Sequence, residues 1–113
     1  MGNTETTLKD GRLILHMEQA GGALMVRASG ELSRSTAERF EAELREWIAG
    51  EPLTVVLDLS GVGFIDSTGL RSMLRIANHS LRDGGRLHMR NASAAVKDAI
   101  EWGGMGRLLP LLH

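Results

Sequence analysis

The chain has 113 residues, no cysteine, and 13 basic against 14 acidic residues, for a formal net charge of −1. This length suits one domain with a single core, and the lack of cysteine excludes disulfides, thiolate metal sites and a catalytic thiol. Nearly balanced charge argues against nucleic acid or an anionic membrane as the main partner, since both require a basic surface. No stretch is apolar enough to span a bilayer and the polar start is no signal peptide, so we expect a cytoplasmic protein without direct membrane contact.

The N-terminal part of the chain predicts a flexible extension followed by a β-hairpin. Residues 1–11 are mostly polar and are assigned to the extension. Apolar residues alternate with others over residues 13–18 and again over residues 24–29, which is the spacing of strands. Gly21-Gly22 lies between the two runs and indicates the turn.

A helix is predicted next, because Ala37, Phe40 and Leu44 fall on one helical face. Ser35 and Glu38 have the spacing of a capping box at its start, although Ser33 could also cap half a turn earlier.

A central strand follows the first helix. Residues 53–59 are nearly all apolar, as in strands buried on both faces of a sheet. Residues 61–65, Gly-Val-Gly-Phe-Ile, are interpreted as an exposed loop. Leu70 to Leu81 has helical spacing, and the rest of the chain predicts a short strand, a third helix capped by Asn91 or Ser93, and a tail forming a short strand or a packed turn.

The predicted order β-β-α-β-α-β-α indicates an α/β fold with one domain over residues 1–113 and a mixed β-sheet flanked by helices. In such a sheet, the connection after the central strand is a favoured place for function. Asp66-Ser67-Thr68-Gly69 lies at that connection, where an acid and two hydroxyls stand in a row.

Several interpretations of this corner compete. Asp66 or Ser67 could simply cap the helix, a contribution of about 1 kcal/mol. A phosphate-binding loop is disfavoured because Asp66 stands at the third glycine position and no Walker lysine is present. A hydrolase elbow would need glycine where Ile65 stands, and no histidine lies in a recognisable catalytic context. The four histidines show no ligand spacing, so no metal site and no cofactor are predicted.

Phosphorylation of Ser67 is the interpretation that uses every feature of the corner. A phosphate would add about −1.5 to −2 charges at neutral pH on an exposed helix N-terminus. The helix dipole and free N–H groups would stabilise it, and the neighbouring Asp66 would oppose it. The fold should therefore survive while the local surface potential changes.

The sequence resembles the STAS domain family, and in particular bacterial anti-sigma factor antagonists. The most specific match is Phe64-Ile65-Asp66-Ser67-Thr68-Gly69-Leu70, and the resemblance extends from about Leu13 to Leu109. Supporting matches are Gly30-Glu31-Leu32, Thr36-Ala37, Leu57-Asp58-Leu59, Gly84-Gly85 and Ala95-Val96-Lys97.

The resemblance implies a partner switch rather than an enzyme. The unphosphorylated antagonist binds an anti-sigma factor that is also a serine kinase using ATP and Mg²⁺, and this frees a sigma factor. Phosphorylation of the serine that follows the aspartate, here Ser67, breaks the complex, and a serine phosphatase resets it. The family usually has Asp at the position of Ser33, and this departure puts the choice of partner in question.

The expected binding surface combines Ser33, the segment from Gly61 to Thr68 and the exposed side of the helix that follows. Its predicted members are Ser33, Gly63, Phe64, Asp66, Ser67, Thr68, Gly69, Arg71 and Arg75. The two arginines could equally form a solvated stripe. A constitutive STAS scaffold or adaptor, in a signalling complex or on a transporter, is the alternative function, and a homodimer is left open.

Overall fold

The computed structural model describes residues 2–8, 10–49, 52–103 and 111–112. Within them, six strands and three helices follow one another in the order β-β-β-α-β-α-β-α-β. The elements are β1 (Gly2–Leu8), β2 (Leu13–Ala20), β3 (Ala23–Leu32), α1 (Ala37–Ile48), β4 (Thr54–Ile65), α2 (Ser67–Arg82), β5 (Arg86–Arg90), α3 (Ala94–Trp102) and β6 (Leu111–Leu112). The predicted α/β class with a mixed sheet is confirmed.

The six strands form one sheet in which spatial order equals chain order. The pairs β1–β2 and β2–β3 are antiparallel, while β3–β4, β4–β5 and β5–β6 are parallel. The predicted hairpin is β2–β3, and the C-terminal tail supplies the two-residue strand β6. The parallel half therefore brings the C-terminal ends of β3 and β4 to the same edge of the sheet.

The N-terminal segment differs from the prediction of a flexible extension over residues 1–11. Gly2–Leu8 forms β1 and pairs along its whole length with β2, from Gly2 opposite Gln19 to Leu8 opposite Leu13. Threonines have high strand propensity, and Leu8 is buried in the core, so pairing gains both backbone hydrogen bonds and apolar contact. The polar composition concealed this strand because most of its described side chains face solvent.

The core lies on one face of the sheet, under the three helices. Along β4, Val55, Leu57 and Leu59 are buried, whereas Thr54, Val56 and Asp58 are half-buried on the opposite face. The same alternation runs through β3 and β5. The prediction of a central strand fully buried on both faces is therefore wrong, because helices cover only the face that carries the core cluster.

The segment 61–65, interpreted from sequence as a loop, is the second half of strand β4. Its pairing with β3 continues after register shifts between Arg27 and Ser29 and between Gly30 and Glu31. Such irregularities bend a strand without ending it, and glycines at positions 61 and 63 accommodate them. The corner therefore begins only at Asp66.

No helix in the described part of the chain is long and apolar enough to cross a bilayer.

Candidate functional site

The site is built where two parallel strands end side by side. Leu32, the last residue of β3, is paired with Ile65, the last residue of β4. The N–H of Asp66 also donates to the carbonyl oxygen of Leu32 at 3.3 Å. The β3–α1 connection, residues 33–36, therefore lies against the start of α2.

Asp66 is the N-cap of α2, in an extended conformation with φ −117° and ψ −176°. One carboxylate oxygen, Oδ1, accepts the backbone N–H of Gly69 at 2.9 Å. The other, Oδ2, accepts the backbone N–H of Arg34 at 2.9 Å. The capping interpretation is therefore correct for Asp66, and the same carboxylate joins the two connections that form the site.

Ser67 is the first residue of α2, and its side chain is exposed. Because Asp66 supplies the cap, the Ser67 hydroxyl is not needed to hold the helix start. Thr68, the next residue, is half-buried. Asp66 therefore has the structural role at this corner, and Ser67 is the accessible residue. The sequence alone did not decide which of the two caps the helix.

Gly69 is required by the close approach of α2 to the end of β3. A methyl group at this position would overlap the carbonyl of Leu32, with the carbonyl carbon 2.8 Å away, and would touch the Ile65 side chain at 3.1 Å. The glycine of the Asp-Ser-Thr-Gly sequence therefore fixes how deeply the helix N-terminus seats against the sheet edge. Its role in the site is positional.

Ser33, predicted as a partner contact, is buried, and its hydroxyl is used within the domain. It donates to the carboxylate of Glu31 at 2.5 Å and accepts the backbone N–H of Ser35 at 3.2 Å. The backbone N–H of Ser33 donates to the hydroxyl of Thr36 at 3.1 Å, and that hydroxyl donates to the Glu31 carbonyl. Helix α1 accordingly begins at Ala37 with Thr36 as N-cap, and the predicted Ser35–Glu38 capping box is wrong.

These groups surround an open depression beside Ser67. It is lined by Glu31, Ser33, Arg34, Ser35, Phe64, Asp66, Ser67 and Thr68. Phe64 is 56% exposed and is the large apolar residue that lines this depression. Sequence reasoning missed Glu31, Arg34 and Ser35, although the expected parallel pairing of the two strands would have placed their connection beside the corner.

Gly63 and the two predicted arginines occupy different surroundings. Gly63 is exposed at the second register shift of β4, directly before Phe64. Arg75 donates to Glu41 of α1 through Nε at 2.8 Å, and its terminal nitrogen lies 2.6 Å from the same oxygen. The hydrogen bond to Glu41 raises the pKa of Arg75; burial opposes this effect and the charge of Glu41 adds to it. Arg75 therefore links α1 to α2, whereas Arg71, which is also exposed, forms no ion pair within the described residues.

The histidines of the described residues lie away from the corner. His16 on β2 contacts Glu5 at 2.6 Å, and His79 lies 3.6 Å from Asp83 at the far end of α2. His88 is on β5, and His113 lies outside the described residues. The residues described include no group of His, Asp or Glu that could hold a metal ion. Nothing there gives Ser67 a histidine base for nucleophilic catalysis.

Comparison with known proteins gives a consistent result. Residues 15–112 match the family model of the STAS domain. BtrV of Bordetella bronchiseptica, which carries the provisional name of anti-sigma factor antagonist, is 30% identical over 99 residues, covering 88% of this chain and 85% of its own length.

Three further matches concern the fold, in two solved structures, and a segment of a transporter. The anti-sigma factor antagonist SpoIIAA matches in its unphosphorylated form with a TM-score of 0.73 at 21% identity, covering 88% of each chain. The phosphorylated form from Bacillus matches with a TM-score of 0.67 at 20% identity, covering 88% of this chain and 91% of its own. Solute carrier family 26 member 9 of Xenopus tropicalis is 36% identical over 62 residues, which are 51% of this chain and 8% of the carrier.

Proposed function

The chain belongs to the STAS domain family, and from this we propose that it is an anti-sigma factor antagonist switched by phosphorylation of Ser67. In its unphosphorylated form it binds an anti-sigma factor that is also a serine kinase, and a sigma factor is released. Phosphorylated Ser67 abolishes the complex, and a serine phosphatase restores it. The protein is the substrate of these enzymes in the cytoplasm and is not itself an enzyme.

The observation that carries the proposal is that Asp66 caps the helix while the neighbouring Ser67 remains exposed. The carboxylate of Asp66 accepts two backbone hydrogen bonds at the corner, at 2.9 Å each, and Ser67 remains exposed. A kinase can therefore reach the hydroxyl without opening the fold. A phosphate placed there breaks none of the hydrogen bonds that position α2.

Phe64 gives the surface an apolar anchor beside the switch residue. Large aromatic side chains that become buried on binding contribute much of the affinity of protein interfaces. Phe64 and Ser67 line the same depression, so a partner that covers the phenyl ring must also approach the Ser67 hydroxyl. A phosphate at Ser67 would then require desolvation of about two negative charges within that interface, next to Glu31 and Asp66.

The similarity of BtrV and of the two SpoIIAA forms supports this function. The match with BtrV covers 88% of this chain and 85% of BtrV. SpoIIAA, which has the same fold, is known in an unphosphorylated and a phosphorylated form. Buried Ser33 also bears on the partner, because its hydroxyl is engaged with Glu31. We infer that Glu31, rather than Ser33, is the group that this part of the surface presents to the anti-sigma factor.

The proposal is tested by phosphorylation with the kinase encoded in the same host. The protein is incubated with that kinase, ATP and Mg²⁺, and the phosphate is located by mass spectrometry. We expect one phosphate on Ser67, none in Ser67→Ala, and full modification of the control Ser35→Ala, since Ser35 is also exposed beside the depression. Phosphate on another residue, or none, would contradict the proposal.

A constitutive adaptor is the second candidate, favoured by the similarity to a segment of solute carrier family 26 member 9. The two functions differ in the proteins captured from the native host. An antagonist captures a small kinase when Ser67 is unmodified and loses it in Ser67→Asp. An adaptor captures a larger complex or a transporter, with no difference between the two baits.

A further inference from the structure

Two exposed arginines, Arg71 and Arg34, lie near Ser67 on different elements. Arg71 lies four residues after Ser67 on α2, the spacing at which side chains on a helix surface are neighbours. Arg34 lies in the β3–α1 connection and lines the depression that contains Ser67. It also lines a second depression, on the α1 side of Thr68, together with Glu38 and Glu41.

The arginines near the corner differ in how their charge is used. Arg75 is neutralised by Glu41, at 2.6 Å. Within the described residues, neither Arg34 nor Arg71 forms an ion pair, and both are exposed. Among the described residues, Arg34 is held through its backbone, whose N–H donates to Asp66. The described residues therefore include two exposed arginines near Ser67 whose charge is not paired with a carboxylate there.

We propose that Arg71 and Arg34 together bind the phosphate of phosphorylated Ser67 within the same molecule. Guanidinium groups bind phosphate through short, charge-assisted hydrogen bonds, and an anion N-terminal to an arginine at this spacing is the favourable orientation on a helix. The inference rests on the proposed function, because it concerns the modified state of the same serine.

The surrounding acids give this pair of cations a role in the modified state. The carboxylates around the two depressions are Glu31 on β3, Asp66 at the corner, and Glu38 and Glu41 on α1. Glu41 is paired with Arg75, and the other three would repel a phosphate. The cations compensate for them, so the modified state remains folded. The same contact removes Arg71 and Arg34 from the binding surface, so phosphorylation both adds negative charge and withdraws the positive charge that an acidic partner would contact.

The test uses protein carrying phosphoserine at position 67, introduced during translation, so it needs neither the kinase nor the partner. The second pKa of the phosphate is measured from the pH dependence of its phosphorus NMR signal. We expect the wild-type midpoint to lie below that of a Ser67 phosphopeptide. Each of Arg71→Gln and Arg34→Gln should raise it by about 0.3 pH unit, and the double variant should raise it further.

Arg82→Gln is the matched control, because it removes an exposed arginine from the same helix roughly 22 Å from Ser67. Its midpoint should equal that of the wild type. Arg71→Lys keeps the charge and should lie between wild type and Arg71→Gln. Equal midpoints in the wild type and in the double variant would overturn the inference, while leaving the phosphorylation of Ser67 itself untouched.

Discussion

The carboxylate of Asp66 accepts the backbone N–H of Arg34 at 2.9 Å, across 32 positions of sequence. Its other oxygen caps α2 through Gly69. One side chain therefore holds together the two chain segments that form the depression beside Ser67. Ser67 is positioned by Asp66 and by the parallel pairing of β3 with β4, and its side chain remains exposed.

Asp66→Ala should destabilise the domain by about 1–2 kcal/mol, because it leaves two backbone N–H groups without their acceptor. Asp66→Asn keeps one acceptor oxygen and should cost less. The free energy of unfolding from denaturant titration measures both. Asp98→Ala, on the exposed face of α3, is the control and should change stability by less than about 0.5 kcal/mol. Equal stability of Asp66→Ala and Asp98→Ala would show that the Asp66 hydrogen bonds contribute nothing.

Gly69→Ala should destabilise the fold by about 1–3 kcal/mol, since the added methyl group would overlap the Leu32 carbonyl and force α2 away from the sheet edge. Gly63→Ala is a matched control, because a methyl group there meets no atom within 4 Å. Thermal unfolding of the two variants gives the comparison. If Gly69→Ala had the same melting temperature as the wild type, the close approach of α2 to β3 would not constrain this position.

The sequence was sufficient to predict those elements in which apolar residues recur at the spacing of buried positions. The hairpin β2–β3, the helices and the position of the corner after the central strand follow from apolar spacing and turn residues. Strand β1 was missed because its polar residues carry no alternating pattern, and only its pairing with β2 orders it. The second half of β4 resembled a loop because glycines there allow register shifts that leave the strand paired.

Phe64→Ala should weaken binding to the anti-sigma factor at least tenfold and leave thermal stability unchanged, because the ring is 56% exposed in the free protein. Leu81→Ala is the control, since Leu81 is 62% exposed at the opposite end of α2 from Ser67. Calorimetric titration with the partner separates the two variants. Equal affinities would place the interface elsewhere on the domain.

The lowered pKa of Asp58 leads us to expect a loss of stability at acidic pH. Partial burial acts to raise its pKa, but hydrogen bonds from Ser60 and Asn91 and the charge of Arg27 outweigh this effect and hold the pKa below its ordinary value. A lowered folded pKa stabilises the fold above the unfolded pKa of about 3.9, and this contribution is lost as pH falls through the folded value.

The comparison of wild type with Asp58→Asn isolates that contribution. At neutral pH the variant should have the smaller free energy of unfolding, and the difference should shrink steadily as the pH is lowered below 4. Denaturant titrations at a series of pH values measure it. A difference that is constant with pH would mean that the hydrogen bonds do not favour the ionised form of Asp58.

The site was only partly predictable, for a physical reason that concerns side-chain partners. The exposure of Ser67 and the capping role of Asp66 depend on which of two adjacent polar groups reaches the Gly69 N–H, and local sequence does not decide this. Likewise, Ser33 and Arg75 resemble surface residues in sequence. Their partners, Glu31 and Glu41, become neighbours only through local backbone geometry and helix packing.

The most direct measurement is the affinity of the anti-sigma factor for two forms of this protein, unmodified and carrying phosphoserine at position 67. Circular dichroism and thermal unfolding first establish that both forms are equally folded. We predict tight binding of the unmodified form and a loss of at least a hundredfold in affinity for the phosphorylated form. Equal affinities for two equally folded proteins would contradict the assignment of Ser67 as the switch.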